Sequence, residues 1–486
     1  MTPMAAYIEG RWYPEGSKTL TVISPAEGEA LESFPFSPAH SAQAIEAARK
    51  AFPAWAALGL EGRTPYLRRL QEALARRKES IAKRISLEVG KPLWESRGEA
   101  GGLAPRVDLV LGPIAEDISD IVLPNDGGRA CHLPLGVVAV LGPFNFPAHL
   151  ANGQILPALA AGNTVILKPS EKAPGVAQLY GEAFAEADLP PGVFNLVQGD
   201  AETGGVLVAS PEVDGLLFTG STRVGLAILA ATHQQPHKLV ALEMGGKNAA
   251  LVAADAQLGQ TAEELLMAAY VTCGQRCTAS SQAFVHRDVI DELSDRLAAL
   301  VPRLSVGHPL EEEAFMGPII DQHARQRLLN LNQAAQTAGV DTLVAGQAID
   351  RPGAYLTPAL RRGPWQDTTY FQSEHFGPDL VLIPYQDEDD AVRTMTQSGY
   401  GLAASIFTAD RQRFERLAPR LRAGIVNFNR STVGASGQLP FGGWAQSGNH
   451  RPGARYAGRL VSAAQARLHG PAPLPNQLLN CLGAQS

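Results

Sequence analysis

Short apolar segments alternate with helical segments between residues 137 and 243, and this pattern constrains the fold more than any other feature of the chain. Residues 137–141 and 164–167 are continuous apolar runs, so both faces of each strand are expected to be buried. Such strands form a parallel sheet with helices on both sides, and ligands bind at the carboxyl ends of its strands. The pattern predicts further strands at 193–197, 216–218 and 239–242, and helices at 149–161, 175–187, 201–209 and 222–232.

The segment before this region has three patterns. Residues 1–37 carry Gly, Pro and short β-like pieces, and we expect an irregular arm. Apolar residues then recur every three to four positions up to about Gly112, which predicts helices. Residues 114–133 are more β-like, and Pro124-Asn-Asp-Gly-Gly128 has the composition of a hairpin turn.

A second α/β unit is expected after Asn248. Its later strands are predicted at 379–384, 403–407 and 424–428. The tail from Leu460 has a mixed pattern, and the prolines at 471–475 predict an extended end.

The composition excludes several classes of protein. The 486 residues carry a net charge of −7, which argues against nucleic acid or an anionic membrane as a partner. No apolar run is long enough to span a bilayer, and no signal peptide is recognisable, so we expect a cytoplasmic protein. The four cysteines (Cys131, Cys273, Cys277 and Cys481) give no disulfide framework. Cys273 and Cys277 lack a second pair at ligand spacing, so no metal is expected.

Cys277 and Glu243 are the candidate chemical groups. Gly274 can end the helix-forming run at 263–270, and a strand is expected from 282, which places Cys277 in a helix-to-strand loop. Glu243 precedes two glycines that could let a ligand approach closely. A thiol and a carboxylate support covalent catalysis, in which one attacks and the other activates water. The alternative is a small buried thiol and a solvated turn residue.

Five motifs together resemble the NAD(P)-dependent aldehyde dehydrogenase superfamily over nearly the whole chain. They are Pro-Phe-Asn-Phe-Pro at 143–147, Lys-Pro-Ser-Glu at 168–171, Phe-Thr-Gly-Ser at 218–221, Glu-Met-Gly-Gly-Lys at 243–247 and Gly-Gln-Arg-Cys-Thr at 274–278. The resemblance implies an α/β fold with a Rossmann-like, doubly wound NAD-binding domain at 1–115 and 137–245. It also implies a second α/β catalytic domain at 246–455, and a small β oligomerisation flap and tail at 116–136 and 456–486. A homodimer or a dimer of dimers is therefore expected.

The resemblance also assigns the cofactor residues. The turn from Gly220 to Gly225 follows a strand and opens a helix, where free N–H groups suit a phosphate, although helix caps use the same residues. It resembles the pyrophosphate loop of the family through Gly220, Ser221, Thr222, Arg223, Val224 and Gly225. Lys168 and Glu171 would hold the adenosine ribose, and Glu171 would repel a 2′-phosphate, which favours NAD. Glu374 would hold the nicotinamide ribose and Phe376 would brace the nicotinamide. Without the family, Glu171 is an exposed neighbour of a helix start and Glu374 an ordinary loop residue.

The same resemblance assigns the chemistry. Cys277 would attack the aldehyde carbon, and Asn145 would stabilise the oxyanion together with the Cys277 N–H. In isolation Asn145 suits an Asx turn before Pro147. Glu243 would activate the hydrolytic water, and its presence favours hydrolysis over transfer of the acyl group to coenzyme A.

The C-terminal motifs resemble a branch of the family that oxidises a semialdehyde with two carboxylates during arginine breakdown. Ser-Gly-Asn-His-Arg-Pro at 447–452 is the most distinctive of them. Arg276, His450 and Arg451 are the candidate partners of the substrate carboxylates, and each could instead be a surface charge. Other acidic semialdehydes are the alternative substrates. A non-catalytic relative would not need Cys277 and Glu243 together.

Overall fold

The computed structural model describes residues 2–124 and 127–470 of the chain. The predicted turn residues Asn125 and Asp126, the expected extended end at 471–475 and Cys481 lie outside these ranges. Within them, no helix is both long enough and apolar enough to cross a membrane.

The expectation of an irregular N-terminal arm is wrong, because the arm is built from strands. They are β1 (Ala6–Ile8), β2 (Arg11–Tyr13), β3 (Lys18–Ile23) and β4 (Ala30–Phe36). Strands β1 and β2 have three residues each, which is too short for alternation to show in the sequence. Strand β1 pairs antiparallel with a strand of the main sheet, and β3 pairs with β4 in a hairpin.

Helices follow as predicted, but they extend further than expected. They are α1 (Ala39–Ala57), α2 (Gly59–Arg76), α3 (Lys78–Val89), α4 (Leu93–Gly101) and α5 (Arg106–Leu109). A π-helical turn over Val110–Ile114 comes next, and its two end residues are buried on one face. The predicted β-like stretch therefore begins only with β5 (Ile121–Val122) and β6 (Gly128–Pro134).

The doubly wound unit is confirmed. Its strands are β7 (Val137–Leu141), β8 (Thr164–Lys168), β9 (Phe194–Val197), β10 (Gly215–Thr219) and β11 (Leu239–Glu243). Its helices are α6 (His149–Ala161), α7 (Pro174–Glu186), α8 (Ala201–Ala209) and α9 (Thr222–Thr232). The sheet order is β11-β10-β7-β8-β9-β1-β2, and β7 to β11 are parallel.

Helices cover both faces of this sheet, which is why its strands are continuously apolar. Alternate residues of the strands pack on α1, α8 and α9 on one side. The intervening residues pack on α2, α3, α6 and α7 on the other side. The carboxyl ends of β7, β8, β10 and β11 consequently meet at one edge of the sheet.

The second unit repeats this architecture. Its first half contains β12 (Asn248–Val252), α10 (Leu258–Tyr270), β13 (Ser280–His286), α11 (Ile290–Leu300), α12 (Gln322–Thr337), β14 (Asp341–Val344) and β15 (Ala359–Arg362). Its second half contains α13 (Thr369–Gln372), β16 (Asp379–Tyr385), α14 (Glu388–Met395), β17 (Tyr400–Gly401), β18 (Ala403–Phe407), α15 (Arg411–Leu417) and β19 (Ile425–Phe428). The sheet order is β14-β15-β16-β13-β12-β18-β19. The three later strands that we predicted are confirmed to within one residue at each end. One continuous core joins α10 and α11 to the first unit.

The C-terminal segment returns to the first unit. Its elements are β20 (Pro440–Phe441), β21 (Trp444–Ala445), β22 (Gly453–Ala454), α16 (Ala457–Leu460) and β23 (Ser462–Leu468). Strand β23 pairs with β6, and β6 with β5, in a small antiparallel sheet. Between β21 and β22, Gly448 forms a bridge with Glu243 at the end of β11. The predicted boundary at 455 thus follows a segment that already contacts the first unit, and the domain limits stay a prediction.

Candidate active site

Cys277 lies in a tight loop between α10 and β13, as the sequence predicted. The helix ends at Tyr270, four residues before Gly274. Thr272, Cys273 and Gly274 then have φ angles of 56°, 52° and 65°, so the chain reverses in left-handed geometry. A Cβ atom on Gly274 would lie 2.8 Å from the carbonyl oxygen of Ala269, so no larger residue fits. Non-glycine residues in this geometry store strain that functional loops commonly carry.

A buried carboxylate from α4 holds this reversal in place. Glu95 accepts a hydrogen bond of 2.9 Å from the Thr272 N–H and another from the Thr272 hydroxyl. Glu95 also forms an ion pair of 2.7 Å with Arg276, whose Nε donates to the Thr272 hydroxyl at 2.7 Å. The partners are 177 residues apart, and no motif in the sequence indicated Glu95.

Asn248 fixes the other side of the loop. Its Nδ2 donates to the carbonyl oxygens of Cys277 at 2.7 Å and Ala279 at 2.9 Å. Its Oδ1 accepts from the Ala403 N–H at 2.9 Å, which ties β12, β18 and the loop together. Asn248 directly follows the Glu-Met-Gly-Gly-Lys motif, so its position was a signal that the sequence analysis did not use.

Asn145 reaches the same loop from the first unit. The residue is buried after β7, and its Nδ2 donates to the carbonyl of Gln275 at 2.9 Å. An amide nitrogen has two protons, so a second donor remains. Glu99 of α4 holds the following turn, because it accepts from the Ala148 and His149 N–H groups at 3.1 Å each.

The neighbouring aromatic ring carries two cations. The Nζ of Lys91 lies 3.4 Å from the ring centre of Phe146, and the Arg276 guanidinium lies 4.9 Å from it. Lys91 also forms a buried ion pair with Glu99. Helix α4 therefore contacts both loops, through Glu95 on one side and Glu99 on the other.

Glu243 ends β11 and is buried beside the loop that contains Gly442 and Gly443. Neither carboxylate oxygen has a hydrogen bond of normal geometry to a residue in the described ranges. Burial raises the pKa of Glu243 well above its usual value, while the Gly443 N–H and the charge of Arg451 act in the opposite direction. A carboxyl group with a raised pKa can exchange a proton near neutral pH.

Cys277 and Glu243 are electrostatically coupled. Burial raises the pKa of the Cys277 thiol to about 12, and the charges of Glu243 and Glu374 add to this effect. Arg276 and the Cys277 N–H lower it in part. This raised pKa favours the protonated thiol, so a base has to accept its proton when the sulfur attacks.

The 447–449 segment positions the end of β11. The Asn449 side chain accepts from the Leu242 N–H at 2.7 Å and donates to the Val240 carbonyl at 3.0 Å. The Met244 N–H donates to the Ser447 carbonyl at 2.9 Å. In the motif that we associated with substrate recognition, Asn449 thus has a role in placing Glu243.

The turn from Gly220 to Gly225 opens α9 as predicted. Ser221 caps the helix, accepting from the Val224 N–H at 3.4 Å, and Arg223 and Val224 are exposed. A Cβ atom on Gly225 would overlap the Met244 sulfur, so glycine allows the helix to pack closely. An exposed, capped helix start with free N–H groups fits a dinucleotide phosphate.

Lys168 and Glu171 lie at the end of β8. Lys168 is buried with its Nζ 3.7 Å from the exposed carboxylate of Glu171. Burial lowers the pKa of Lys168, and Glu171 and Asp200 oppose this shift. A cation and a carboxylate at the end of a parallel strand fit the hydroxyl groups of a ribose.

Glu374 and Phe376 complete the candidate cofactor site. Glu374 accepts from the Gly246 N–H at 2.9 Å, and a Cβ atom on Gly245 would overlap its carboxylate. Burial raises the pKa of Glu374 to about 7. Phe376 has a φ angle of 49°, and its ring meets Phe144 edge-on at 6.0 Å. The loops at 144, 245 and 374 therefore converge, and Gly245 leaves room for the Glu374 carboxylate.

The candidate substrate residues are placed differently from one another. Arg276 is paired with Glu95, and Arg451 lies 4.8 Å from the Trp444 ring and close enough to Glu243 to influence its pKa. His450 is exposed. In residues 2–124 and 127–470, no three His, Cys, Asp or Glu side chains cluster as metal ligands would.

Comparison with known proteins places this site in a family. The sequence profile of the Aldehyde dehydrogenase family matches residues 12–465. N-succinylglutamate 5-semialdehyde dehydrogenase of Burkholderia thailandensis is 37% identical over 482 residues, covering 96% of this chain and 98% of that protein.

Solved structures with a similar fold include enzymes of the same kind. The crystal structure of an E. coli NADP-dependent enzyme has a TM-score of 0.92 and 30% identity, covering 97% of this chain and 98% of that one. The crystal structure of an NAD-dependent aldehyde dehydrogenase from Sinorhizobium meliloti has a TM-score of 0.92 and 31% identity, covering 98% of this chain and 96% of that one. The chain therefore belongs to the aldehyde dehydrogenase family, and it is an NAD(P)-dependent oxidoreductase that acts on aldehydes.

Proposed function

We propose that the chain oxidises N-succinyl-L-glutamate 5-semialdehyde to N-succinyl-L-glutamate, with NAD as the oxidant, in arginine catabolism. The observation that carries this proposal is the near full-length match to the Burkholderia thailandensis enzyme of that name. Glutamate semialdehyde and succinate semialdehyde are the alternative substrates, because the same machinery would oxidise them.

The reaction begins with the Cys277 sulfur. As Sγ bonds to the aldehyde carbon, a base takes the thiol proton and the carbonyl oxygen becomes an oxyanion. The free proton of the Asn145 amide and the Cys277 N–H donate to that oxyanion, and each donor contributes roughly 3–4 kcal/mol, judging from other oxyanion holes. Both donors belong to loops that α4 and Asn248 hold together.

A nicotinamide dinucleotide would be held by the 220–225 turn, by Lys168 and Glu171, and by Glu374 and Phe376. When bound, NAD supplies the two-electron acceptor for the oxidation of the substrate carbon. The carbon then remains on Cys277 as a thioester. Glu243 takes a proton from water as the oxygen attacks that thioester. The carbon–sulfur bond breaks, the acid leaves, and the sulfur takes back a proton, which restores the Cys277 thiol.

Substrate kinetics test the proposal. Wild-type protein is assayed with NAD and N-succinylglutamate 5-semialdehyde, glutamate semialdehyde and succinate semialdehyde, and with the Cys277→Ala variant as the blank. We expect the highest kcat/KM with the succinylated substrate. A tenfold preference for either unsuccinylated aldehyde would refute the substrate assignment and leave the reaction class intact.

Cofactor choice is a separate prediction. The exposed carboxylate of Glu171 would repel the 2′-phosphate of NADP, so we expect kcat/KM to be higher with NAD. The Glu171→Gln variant should raise kcat/KM with NADP about tenfold, because one like-charge contact is removed. The ratio of kcat/KM with NAD to kcat/KM with NADP should therefore fall. Glu202, an exposed carboxylate paired with Lys18, provides the control variant Glu202→Gln, which should leave the ratio unchanged. Equal use of the two cofactors by the wild type would contradict the role of Glu171.

We also propose that the sheet of β5, β6 and β23 associates with a second copy of the chain. Ile121 and Val122 are 64% and 65% exposed, and Leu468 is 83% exposed. An exposed apolar strand at a sheet edge favours pairing with another chain. This is the region that we expected to be an oligomerisation flap.

A further inference from the structure

Arg106 is a buried arginine with no acceptor in the part of the chain that the structure describes. It is the first residue of α5 and is 9% exposed. Its Nε has no hydrogen-bond partner there, and no described carboxylate forms an ion pair with its guanidinium. Burying a charge without a partner costs free energy, so such a group needs a functional explanation.

Other buried arginines show how this protein normally satisfies such a group. Arg63 donates to three backbone carbonyls at 3.1, 3.3 and 3.2 Å. Arg361 forms an ion pair of 2.8 Å with Asp379 and two further hydrogen bonds. Arg106 differs from both, because none of its five donors has a partner in the described chain.

The end of the guanidinium lies between two glycines. A Cβ atom on Gly153 would be 3.4 Å from Nη2, an ordinary van der Waals distance, and one on Gly437 would be 2.8 Å from Nη1. A larger residue at Gly437 would therefore crowd Nη1. Nε is enclosed by protein, whereas Nη1 and Nη2 are not fully enclosed. The planar fork is therefore accessible at the end that binds carboxylates bidentately.

This fork lies between two segments that lead to the candidate catalytic residues. Gly153 belongs to α6, which begins four residues after Asn145. Gly437 precedes by five residues Gly442, where an added Cβ atom would meet the Glu243 carboxylate.

Burial lowers the pKa of His149, Glu99 opposes the shift, and the charges of Arg106 and Arg276 contribute to it. His149 follows Asn145 by four residues at the start of α6, and Arg276 precedes Cys277. The charge of Arg106 thus acts on a residue that lies four positions after Asn145.

The charge at this place is uncompensated. Lys91 is paired with Glu99, and Arg276 with Glu95. Since both carboxylates are already used by cations and backbone N–H groups, Arg106 contributes a net positive charge beside them.

We infer that Arg106 binds a carboxylate of the aldehyde substrate and makes the enzyme specific for acidic aldehydes. The inference rests on the proposed function and deepens it, because it names the group that recognises the acid. The carboxylate accepts hydrogen bonds from the two terminal nitrogens of the buried guanidinium, which have no protein acceptor in the described chain. Gly437 leaves Nη1 uncrowded, as a larger residue there would not.

Paired substrates test this inference. The wild type and the Arg106→Met and Arg106→Lys variants are assayed with N-succinylglutamate 5-semialdehyde and with its dimethyl ester, which has the same aldehyde without the negative charges. For Arg106→Met we expect kcat/KM to fall about 10- to 100-fold with the acid, mainly through KM, and to stay within about twofold with the ester. Arg106→Lys should recover part of the loss.

A matched control and a stability measurement separate specificity from folding. Arg97→Met removes an exposed arginine of α4 that is paired with Glu79. It should change kcat/KM with neither the acid nor the ester. Thermal melting of Arg106→Met should be unchanged or higher than that of the wild type, since an unpaired buried charge is removed. A variant that loses activity equally with acid and ester would show a structural role and overturn the inference.

The outcomes also separate this inference from the proposed function. If the wild type has the same kcat/KM with the ester as with the acid, the proposal of an acidic substrate fails. If the wild type prefers the acid and Arg106→Met keeps that preference, only the role of Arg106 fails.

Discussion

Glu243 changes the proton affinity of Cys277, and its own proton affinity is set by burial. The charge of Glu243 raises the pKa of the Cys277 thiol, and burial raises the pKa of Glu243 itself. A carboxylate in such an environment is a stronger base than one in water. Glu243 is therefore suited to accept a proton from water.

Replacing this base predicts a distinct time course. Glu243→Gln should release a burst of NADH equivalent to the enzyme concentration and then fall at least 100-fold below the wild-type rate, because thioester hydrolysis lacks its base. Stopped-flow absorbance at 340 nm (the NADH band) checks the burst. Turnover at the wild-type rate would show that another group activates the water.

The same residue predicts a pH dependence. Because hydrolysis needs the ionised carboxylate, the wild-type rate should rise with pH through the raised pKa of Glu243. Stability should change in the opposite direction: ionising a buried group whose pKa is raised on folding lowers the free energy of unfolding as the pH rises. Glu243→Gln should thus be relatively more stable than the wild type at alkaline pH, measured by denaturant unfolding across the pH series. A rate independent of pH would contradict the assignment.

At the scale of elements, α4 connects two loops from different units. Glu95 holds the Thr272 turn and Arg276, and Glu99 holds the start of α6. Short loops with left-handed residues are strained, so their geometry depends on such supports. Helix α4 contributes no residue to the proposed chemistry and still sets the relative position of its donors.

Glu95 provides the prediction at this scale. Glu95→Gln keeps an acceptor for the Thr272 N–H but removes the charge that pairs with Arg276. We expect kcat to fall about tenfold or more with little change in the KM for NAD, since the loop that carries Cys277 shifts while the cofactor residues do not. Glu79→Gln removes an exposed carboxylate on α3 and is the matched control. A uniform change in both constants would indicate general destabilisation instead.

The sequence predicted the helices and strands better than it predicted the side-chain contacts between them. Continuous apolar runs were enough for β7 and β8, because burial on both faces leaves a clear signal. Strand β1 has three residues and leaves none. The five motifs predicted the candidate catalytic residues, whereas Glu95 could not be found, since its partner lies 177 residues away. The isolation of Arg106 is likewise a property of the folded chain, as no sequence pattern states that an arginine has no partner.

At the scale of the whole molecule, the β5-β6-β23 sheet is the exposed apolar surface that association would cover. Val122→Glu places a charge on β5, and we expect it to shift the protein toward monomers. Sedimentation velocity at several concentrations measures the state. Thr21→Glu, on the exposed side of the β3–β4 hairpin, is the control. A wild type that is already monomeric at all concentrations would contradict the association.

The bridge between Gly448 and Glu243 has a consequence for synthesis on the ribosome. The nascent chain completes β11 long before residues 447–449 leave the exit tunnel. During that part of elongation the outer edge of β11 is exposed, because the segment that contacts it has not been synthesised. Unpaired edges attract other strands, and the interval is therefore a period of aggregation risk in which a chaperone would be useful. Translation that stops before residue 447 yields a chain that contains Cys277 and Glu243 but lacks the 447–449 segment that positions the end of β11.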